Sequence, residues 1–289
     1  MNTDKNKILV PVDFTEVSNA AIQHATLLAK QIGAEINLLH VIEKPFIFIG
    51  KKNRYEDQII EAGTQNRLQE LADRIEREEK LSTDILAVQG NIYDTITAVA
   101  SEISANFVVM GTHGVKGIQH LTGSNALKVI YHSPVPFMLT QSKGPVNEMY
   151  DNIVFPLDSQ HESIQKTDWA IFFAKKFNSK INILIPTEAD TYLAKRVKNN
   201  LGYVKGKLDK QNVSYTVNVS TRDSAYLADE TNRYAAEINA NLILIMIYPS
   251  RGAGEFFITP SQQKMISNPS EIPVMCINPG ALFTLQTIA

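Results

Sequence analysis

Residues 7–41 read KILVPVDFTEVSNAAIQHATLLAKQIGAEINLLHV, and residues 152–186 read NIVFPLDSQHESIQKTDWAIFFAKKFNSKINILIP. The two stretches align at one constant offset without gaps. Identical residues stand at equivalent positions, among them Pro11/Pro156, Asp13/Asp158 and Ala29/Ala174. Self-similarity at a fixed offset indicates a repeated structural unit. The segments 135–139 (VPFML) and 272–276 (IPVMC) also correspond, so each copy is expected to form a complete domain.

Within the first copy, strand patterns alternate with helix patterns. Residues 8–12 are continuously apolar, as a strand covered on both faces requires. Ala21, Ala25, Leu28 and Ile32 then recur at helical spacing, and the alternation continues to a fifth strand at 135–139. Strands that alternate with helices predict a doubly wound, mainly parallel sheet. The chain is therefore expected to be an α/β protein of two tandem, five-stranded, Rossmann-like domains.

The domain boundaries follow from a polar segment between the copies. Residues 141–152 include Gly144 and Pro145, which suits a short linker. We place the first domain at 1–145 and the second at 146–289. The chain length of 289 residues fits two domains of ordinary size.

Composition narrows the classes of function. A hydrophobic fraction of 44%, a charged fraction of 20% and a net charge of −2 indicate a globular protein without a broad basic surface, so we expect no nucleic-acid partner. The single cysteine, Cys276, lies in an apolar run and forms no internal disulfide. The polar N-terminus and the short apolar runs predict no signal peptide and no membrane span. We expect the protein in the cytoplasm.

Glycines cluster after the fourth strand of the first copy. Gly111 and Gly114 follow that strand, and Gly123 and Ser124 open the next helix. Both places belong to the carboxyl edge of the predicted sheet, where ligands of such sheets bind. Glycine turns form concave anion nests, and free helix amides attract anions, so together they predict a polyphosphate site. Plain turn chemistry is the alternative explanation of these glycines.

These residues resemble the universal stress protein family in its tandem two-domain form. Nucleotide-binding members of the family have Gly-x-x-Gly, nine intervening residues and then Gly-Ser/Thr after the fourth strand. This chain has GTHG at 111–114 and GSN at 123–125, with eight residues between them. The opening ILVPVDFT, the LLHV at the end of the second strand and the SPVP at 133–136 are also similar to the family.

The resemblance implies an adenine nucleotide, ATP, ADP or AMP, with or without Mg²⁺, bound to the first copy of a stress-response protein. In it Asp13 contacts the nucleoside, the main chain of Val41 reads the adenine edge, and Gly123 and Ser124 hold the outer phosphates. The residues that it places at the ligand are Pro11, Asp13, Val41, Met110, Gly111, His113, Gly114, Gly123, Ser124 and Asn125. Asp13 has a second interpretation, as a helix N-cap or turn-forming residue. The His113 side chain is equally explained as a solvated loop residue.

The second copy departs from the motif. After its fourth strand the chain reads IYPSRGAGEFFITPS at 247–261, where Pro260 removes an amide donor and Glu255 adds negative charge. We expect this copy to bind nucleotide poorly and to pack against the first copy, so that the tandem resembles a dimer whose two subunits are covalently linked. No catalytic residues and no metal-ligand spacing are predicted, while weak ATP hydrolysis or self-phosphorylation and association into a homodimer stay open. The alternative function is a nucleotide-free interaction or signalling module that acts through this dimer-like domain pairing.

Overall fold

A computed structural model describes residues 5–43, 54–112, 130–131, 133, 135–146, 149–247 and 259–278. In the N-terminal half, strands alternate with helices as the periodicity predicts. Its elements are β1 (Asn6–Pro11), α1 (Glu16–Ile32), β2 (Ala34–Ile42), α2 (Arg54–Glu79), β3 (Thr83–Gln89), α3 (Ile92–Glu102), β4 (Phe107–Gly111) and β5 (Phe137–Thr140). The helix predicted to open at Gly123 and Ser124 falls almost entirely outside the described residues.

The C-terminal half repeats this alternation. Its elements are β6 (Asn152–Pro156), α4 (Thr167–Phe177), β7 (Lys180–Ile185), α5 (Thr191–Lys210), β8 (Tyr215–Val219), α6 (Leu227–Glu237), β9 (Leu242–Met246), α7 (Pro260–Ile266) and β10 (Val274–Ile277). Short 3₁₀ helices at His161–Ile164 and Ser224–Tyr226 precede α4 and α6. No helix in these described parts combines the length and the apolar character needed to span a bilayer.

The ten strands form one sheet in the order β3-β2-β1-β4-β5-β10-β9-β6-β7-β8. Strands pair in parallel within each half, so the doubly wound parallel fold is confirmed. The strand order of the second half mirrors that of the first. In each half the strand order turns back beside the first strand. Strands β2 and β3 lie on one side of β1 and β4 lies on the other, and β7 and β8 lie on one side of β6 while β9 lies on the other.

The two halves join through β5 and β10, which pair in antiparallel fashion, with Met275 opposite Met138. Side chains reinforce the junction, since the Trp169 ring lies 5.3 Å from the Phe107 ring, centroid to centroid. The Asn278 amide also donates to the Ile130 carbonyl at 2.8 Å. The two five-stranded units predicted from sequence are thus one continuous ten-stranded sheet.

Apolar side chains cover both faces of the sheet. One core contains Ile8 and Val10 of β1 with Leu28 of α1, and it continues into the C-terminal half on the same face. The other contains Leu9 of β1 and Val108 of β4, and it also runs through both halves. Because strands covered on both faces must be apolar throughout, the uninterrupted apolar runs of the sequence are explained.

Candidate functional site

The carboxyl ends of β1, β2 and β4 meet at one edge of the sheet. Parallel registers bring Pro11 opposite Leu39 of β2, and β1 also pairs with β4. Beyond Pro11 the ladder closes with a hydrogen bond from the Val12 N–H to the Leu39 carbonyl at 2.7 Å. In doubly wound sheets, ligands bind in the crevice beyond the strand ends where the strand order turns back, and here that point lies between β1 and β4.

Asp13 lies at this edge with an exposed side chain. Its Oδ1 accepts from the Thr15 N–H at 3.0 Å and from the Thr15 hydroxyl at 2.5 Å. Thr15 in turn is the N-cap of α1, and its Oγ1 accepts from the Ser18 N–H at 3.4 Å. Asp13 therefore forms the turn before the helix, while its exposure leaves the carboxylate accessible to a ligand. The turn-forming interpretation is realised and is compatible with ligand binding.

Val41 lies two residues beyond Leu39, the last β2 residue that β1 reaches. In a strand, the N–H and C=O of one residue point to the same side, and the side alternates from residue to residue. Because the Leu39 carbonyl faces β1, the main-chain groups of Val41 face the same side, past the end of the β1 ladder. They are directed at the crevice, as contact with the edge of a planar base requires.

Met110 and Gly111 end β4 on the other side of the crevice. A Cβ on Gly111 would lie 2.7 Å from both Cγ1 and the carbonyl oxygen of Val17, so the first turn of α1 packs directly on this glycine. Thr112 then anchors the departing chain, because its N–H and its hydroxyl both donate to the Thr140 carbonyl, at 2.6 and 3.0 Å. Gly111 is thus required for helix packing, whatever ligand the edge holds.

Pro11, Asp13, Val41, Met110 and Gly111 are therefore gathered at one edge of the sheet. The remaining predicted site residues, His113, Gly114, Gly123, Ser124 and Asn125, lie outside the described residues. The phosphate nest consequently stays a prediction. Within the described ranges, no three His, Cys, Asp or Glu side chains cluster so as to hold a metal ion.

Three side chains at the same edge, Phe14, His40 and Arg67, are not among the predicted site residues. Phe14 adopts the left-handed backbone conformation, with φ 63°, and its ring lies 4.9 Å from the His40 ring, centroid to centroid. The Arg67 guanidinium carbon lies 3.9 Å from the centre of the Phe14 ring. Phe14 directly follows Asp13, which is a local signal, but Arg67 belongs to α2 and nothing local connects it to the site.

The matching edge of the C-terminal half contains a buried lysine. Lys166 is 1% exposed, and its Nζ donates to the Pro156 carbonyl at 2.8 Å, the Ser163 carbonyl at 3.1 Å and the Ser163 hydroxyl at 3.2 Å. It also lies 4.3 Å from the centre of the Phe155 ring. Burial lowers the pKa of Lys166 to about 7, and the charge of Asp158 acts in the opposite direction.

The cleft beside Lys166 is small. The described residues line a pocket of about 30 Å³, with Asp158 and Lys166 on one side and Met246 and Gln262 on the other. Gln262 donates to the Met246 carbonyl at 2.9 Å, and Pro260 begins α7 behind a Thr259 capping box. The sequence predicts that Pro260 removes an amide donor at this edge. Residues 248–258, which include Glu255, lie outside the described residues.

Comparison with known proteins identifies relatives of the N-terminal half. The model of the universal stress protein family matches residues 5–141. Universal stress protein G of Salmonella typhimurium is 30% identical over 142 residues, which are 46% of this chain and 97% of the relative. A universal stress protein of Methanocaldococcus jannaschii is 29% identical over 140 residues, covering 47% of this chain and 81% of the relative.

Solved structures resemble the whole chain. A universal stress protein from Archaeoglobus fulgidus superimposes with a TM-score of 0.73 at 19% identity, covering 96% of this chain and 99% of that one. A functionally unknown protein from Pseudomonas aeruginosa does so with a TM-score of 0.63 at 15% identity, covering 99% and 96%. At such identities the likeness establishes the fold and nothing further.

Proposed function

The chain belongs to the universal stress protein family, and we propose that it is a cytoplasmic stress-response protein whose N-terminal half binds an adenine nucleotide. The observation that carries the proposal is the meeting of the exposed Asp13 and the main chain of Val41 at the crevice beside Gly111. A carboxylate suits ribose hydroxyls, and main-chain N–H and C=O groups suit the edge of adenine. The glycine turns at 111–114 and 123–125 are proposed to hold the phosphates of ATP, ADP or AMP, with or without Mg²⁺.

The two halves are proposed to divide these roles. Domain 1–145 is the nucleotide-binding unit, and domain 146–289 is a degenerate copy. The inward-turned Lys166 side chain supports this division, because its Nζ donates to the Pro156 and Ser163 carbonyls of the chain itself. No residue is assigned to a catalytic step, so the proposal is one of binding.

Isothermal titration with ATP, ADP, AMP and adenosine, each with and without Mg²⁺, tests this proposal. The wild-type protein is expected to bind at least one of them at submillimolar concentration. Asp13→Asn is expected to weaken binding by about tenfold, or ~1.4 kcal/mol, because a charged acceptor for ribose hydroxyls is lost. Asp158→Asn, the equivalent change in the second half, is the matched control and leaves affinity unchanged.

A second pair of variants tests the phosphate part of the site. Gly114→Val and Gly123→Val place branched side chains in the proposed nest and are expected to abolish nucleotide binding while the protein stays folded. No heat of binding from wild type at millimolar nucleotide would refute the proposal. That result would favour the nucleotide-free interaction module, which the eight-residue spacing between Gly114 and Gly123 also favours.

A further inference from the structure

Phe14 occupies a backbone conformation that bulky residues avoid. Its φ of 63° lies in the left-handed region, where Cβ crowds the following carbonyl, and glycine, asparagine and aspartate are the usual occupants. Such strained positions persist only where surrounding contacts hold them, and they concentrate at functional sites. The contacts of the Phe14 ring therefore explain why the turn after β1 keeps this shape.

Two side chains from different elements hold the ring. The His40 ring of β2 lies 4.9 Å away at an interplanar angle of 31°. Arg67 reaches from α2, with its guanidinium carbon 3.9 Å from the ring centre, a geometry in which cation and ring attract. Leu68, the neighbour of Arg67, is buried in the core, so α2 offers the guanidinium from a fixed position.

His40 also binds the backbone of the same turn. Its Nδ1 lies 2.7 Å from the Val12 carbonyl oxygen. A carbonyl only accepts, so Nδ1 carries the hydrogen in this contact. Val12 immediately precedes Asp13, and Val41 immediately follows His40. The stack of Phe14, His40 and Arg67 thus ties the end of β1 to the end of β2 between the two residues assigned to the nucleoside.

The described residues of the C-terminal half form no equivalent of this stack. At the same offset it has Ser159 in place of Phe14 and Ile185 in place of His40. Ser159 is buried, and a serine and an isoleucine offer neither a ring face nor an imidazole hydrogen bond to the turn. Among the described residues the stack therefore belongs to the half proposed to bind nucleotide, although the strands of the two halves are arranged alike.

We propose that Phe14, His40 and Arg67 are positioning residues that hold the Asp13 carboxylate and the Val41 main chain in the geometry that a nucleoside requires. The inference rests on the proposed nucleotide site. The stack acts at the nucleoside end, so it sets the affinity for adenosine and for ATP by the same factor. Arg67 touches no ligand in this scheme and acts through the Phe14 ring.

A double-mutant cycle on nucleotide affinity tests this inference. Phe14→Gly removes the ring while relieving the left-handed strain, and Arg67→Met removes the cation at similar length. Each variant is expected to weaken adenosine and ATP equally, by about tenfold for Phe14→Gly and about threefold for Arg67→Met. Because Arg67 acts through the ring, adding Arg67→Met to Phe14→Gly is expected to cause no further loss. Arg67→Lys keeps a cation and restores most of the affinity.

The Asp13→Asn background separates positioning from general damage. Because the stack positions Asp13 as well as Val41, Phe14→Gly in that background is expected to weaken binding by clearly less than tenfold, while thermal unfolding shifts as it does in the wild-type background. The inference is overturned if Phe14→Gly and Arg67→Met each leave the affinity within twofold of wild type. It is also overturned if the losses caused by Phe14→Gly and Arg67→Met add up in the double variant. Failure of wild-type protein itself to bind any nucleotide is the distinct result that removes the proposed function, and this inference with it.

Discussion

In the N-terminal half, the strand that ends at Pro11 is followed by an exposed Asp13 and by a helix that begins at Glu16. In the C-terminal half, the strand that ends at Pro156 is followed by a short 3₁₀ turn, and its helix begins only at Thr167. The second helix starts six positions later by the repeat offset, and Lys166, the residue just before it, turns its Nζ back onto the Pro156 and Ser163 carbonyls.

The comparison shows that one strand scaffold supports two different edges. Ala21 occupies in α1 the position that Lys166 occupies in the second half, and both are buried. The short Ala21 side chain does not reach the strand end, whereas the Lys166 side chain extends to it and contacts the Pro156 carbonyl. The same contrast appears where β4 has Gly111 and β9 has Met246, since α1 begins early enough to press its first turn on the glycine.

Lys166 offers the largest test of this contrast, through pH. The pKa of Lys166 is about 7 in the folded protein and has its ordinary value of 10.5 when the chain unfolds. Between these values the unfolded state binds more protons, so the free energy of unfolding rises with pH. From pH 7 to about pH 10 we expect wild type to gain about 4 kcal/mol relative to Lys166→Met. Urea unfolding of both proteins across this range measures the difference, and parallel profiles would contradict the lowered pKa of the buried Lys166 amine.

His24 offers a smaller test at the junction between the halves. It is buried, its Nδ1 lies 2.8 Å from the Tyr150 hydroxyl, and burial lowers its pKa from 6.5 to about 4. Between pH 6.5 and 4 the unfolded state binds more protons, so stability falls as the pH falls. We expect a loss of about 3 kcal/mol over this window, and His24→Leu should remove that part of the dependence. An unchanged acid limb in the variant would show that other groups cause it.

Gly111 gives the smallest of the three effects. Gly111→Ala places a Cβ against the Val17 main chain, which cannot yield without moving α1, so we expect a loss of about 2 kcal/mol. Gly63→Ala in α2 is the matched control, because its Cβ meets open space and alanine favours the helix by about 1 kcal/mol. Denaturant unfolding of both variants compares them. If Gly111→Ala and Gly63→Ala were equally stable, close packing against Val17 would not be the reason for a glycine at position 111.

Local patterns were enough to predict the alternation of strands and helices, the repeat, the fold class and the edge where Asp13 lies. Those properties follow from residues close in sequence, such as the apolar run in β1 and the spacing of Ala21, Ala25 and Leu28 in α1. The glycine turns at 114 and 123 were predicted in the same way, and their geometry stays a prediction.

The pairing of β5 with β10, the Arg67 contact with Phe14 and the inward turn of Lys166 were beyond sequence patterns. The first two join residues far apart along the chain, as Met138 with Met275 and Phe14 with Arg67 illustrate. The Lys166 contacts depend on whether this long side chain points to the Pro156 carbonyl at the strand end or to solvent. Strand partners and side-chain directions of this kind follow from global packing, because periodicity records only which face of an element is buried.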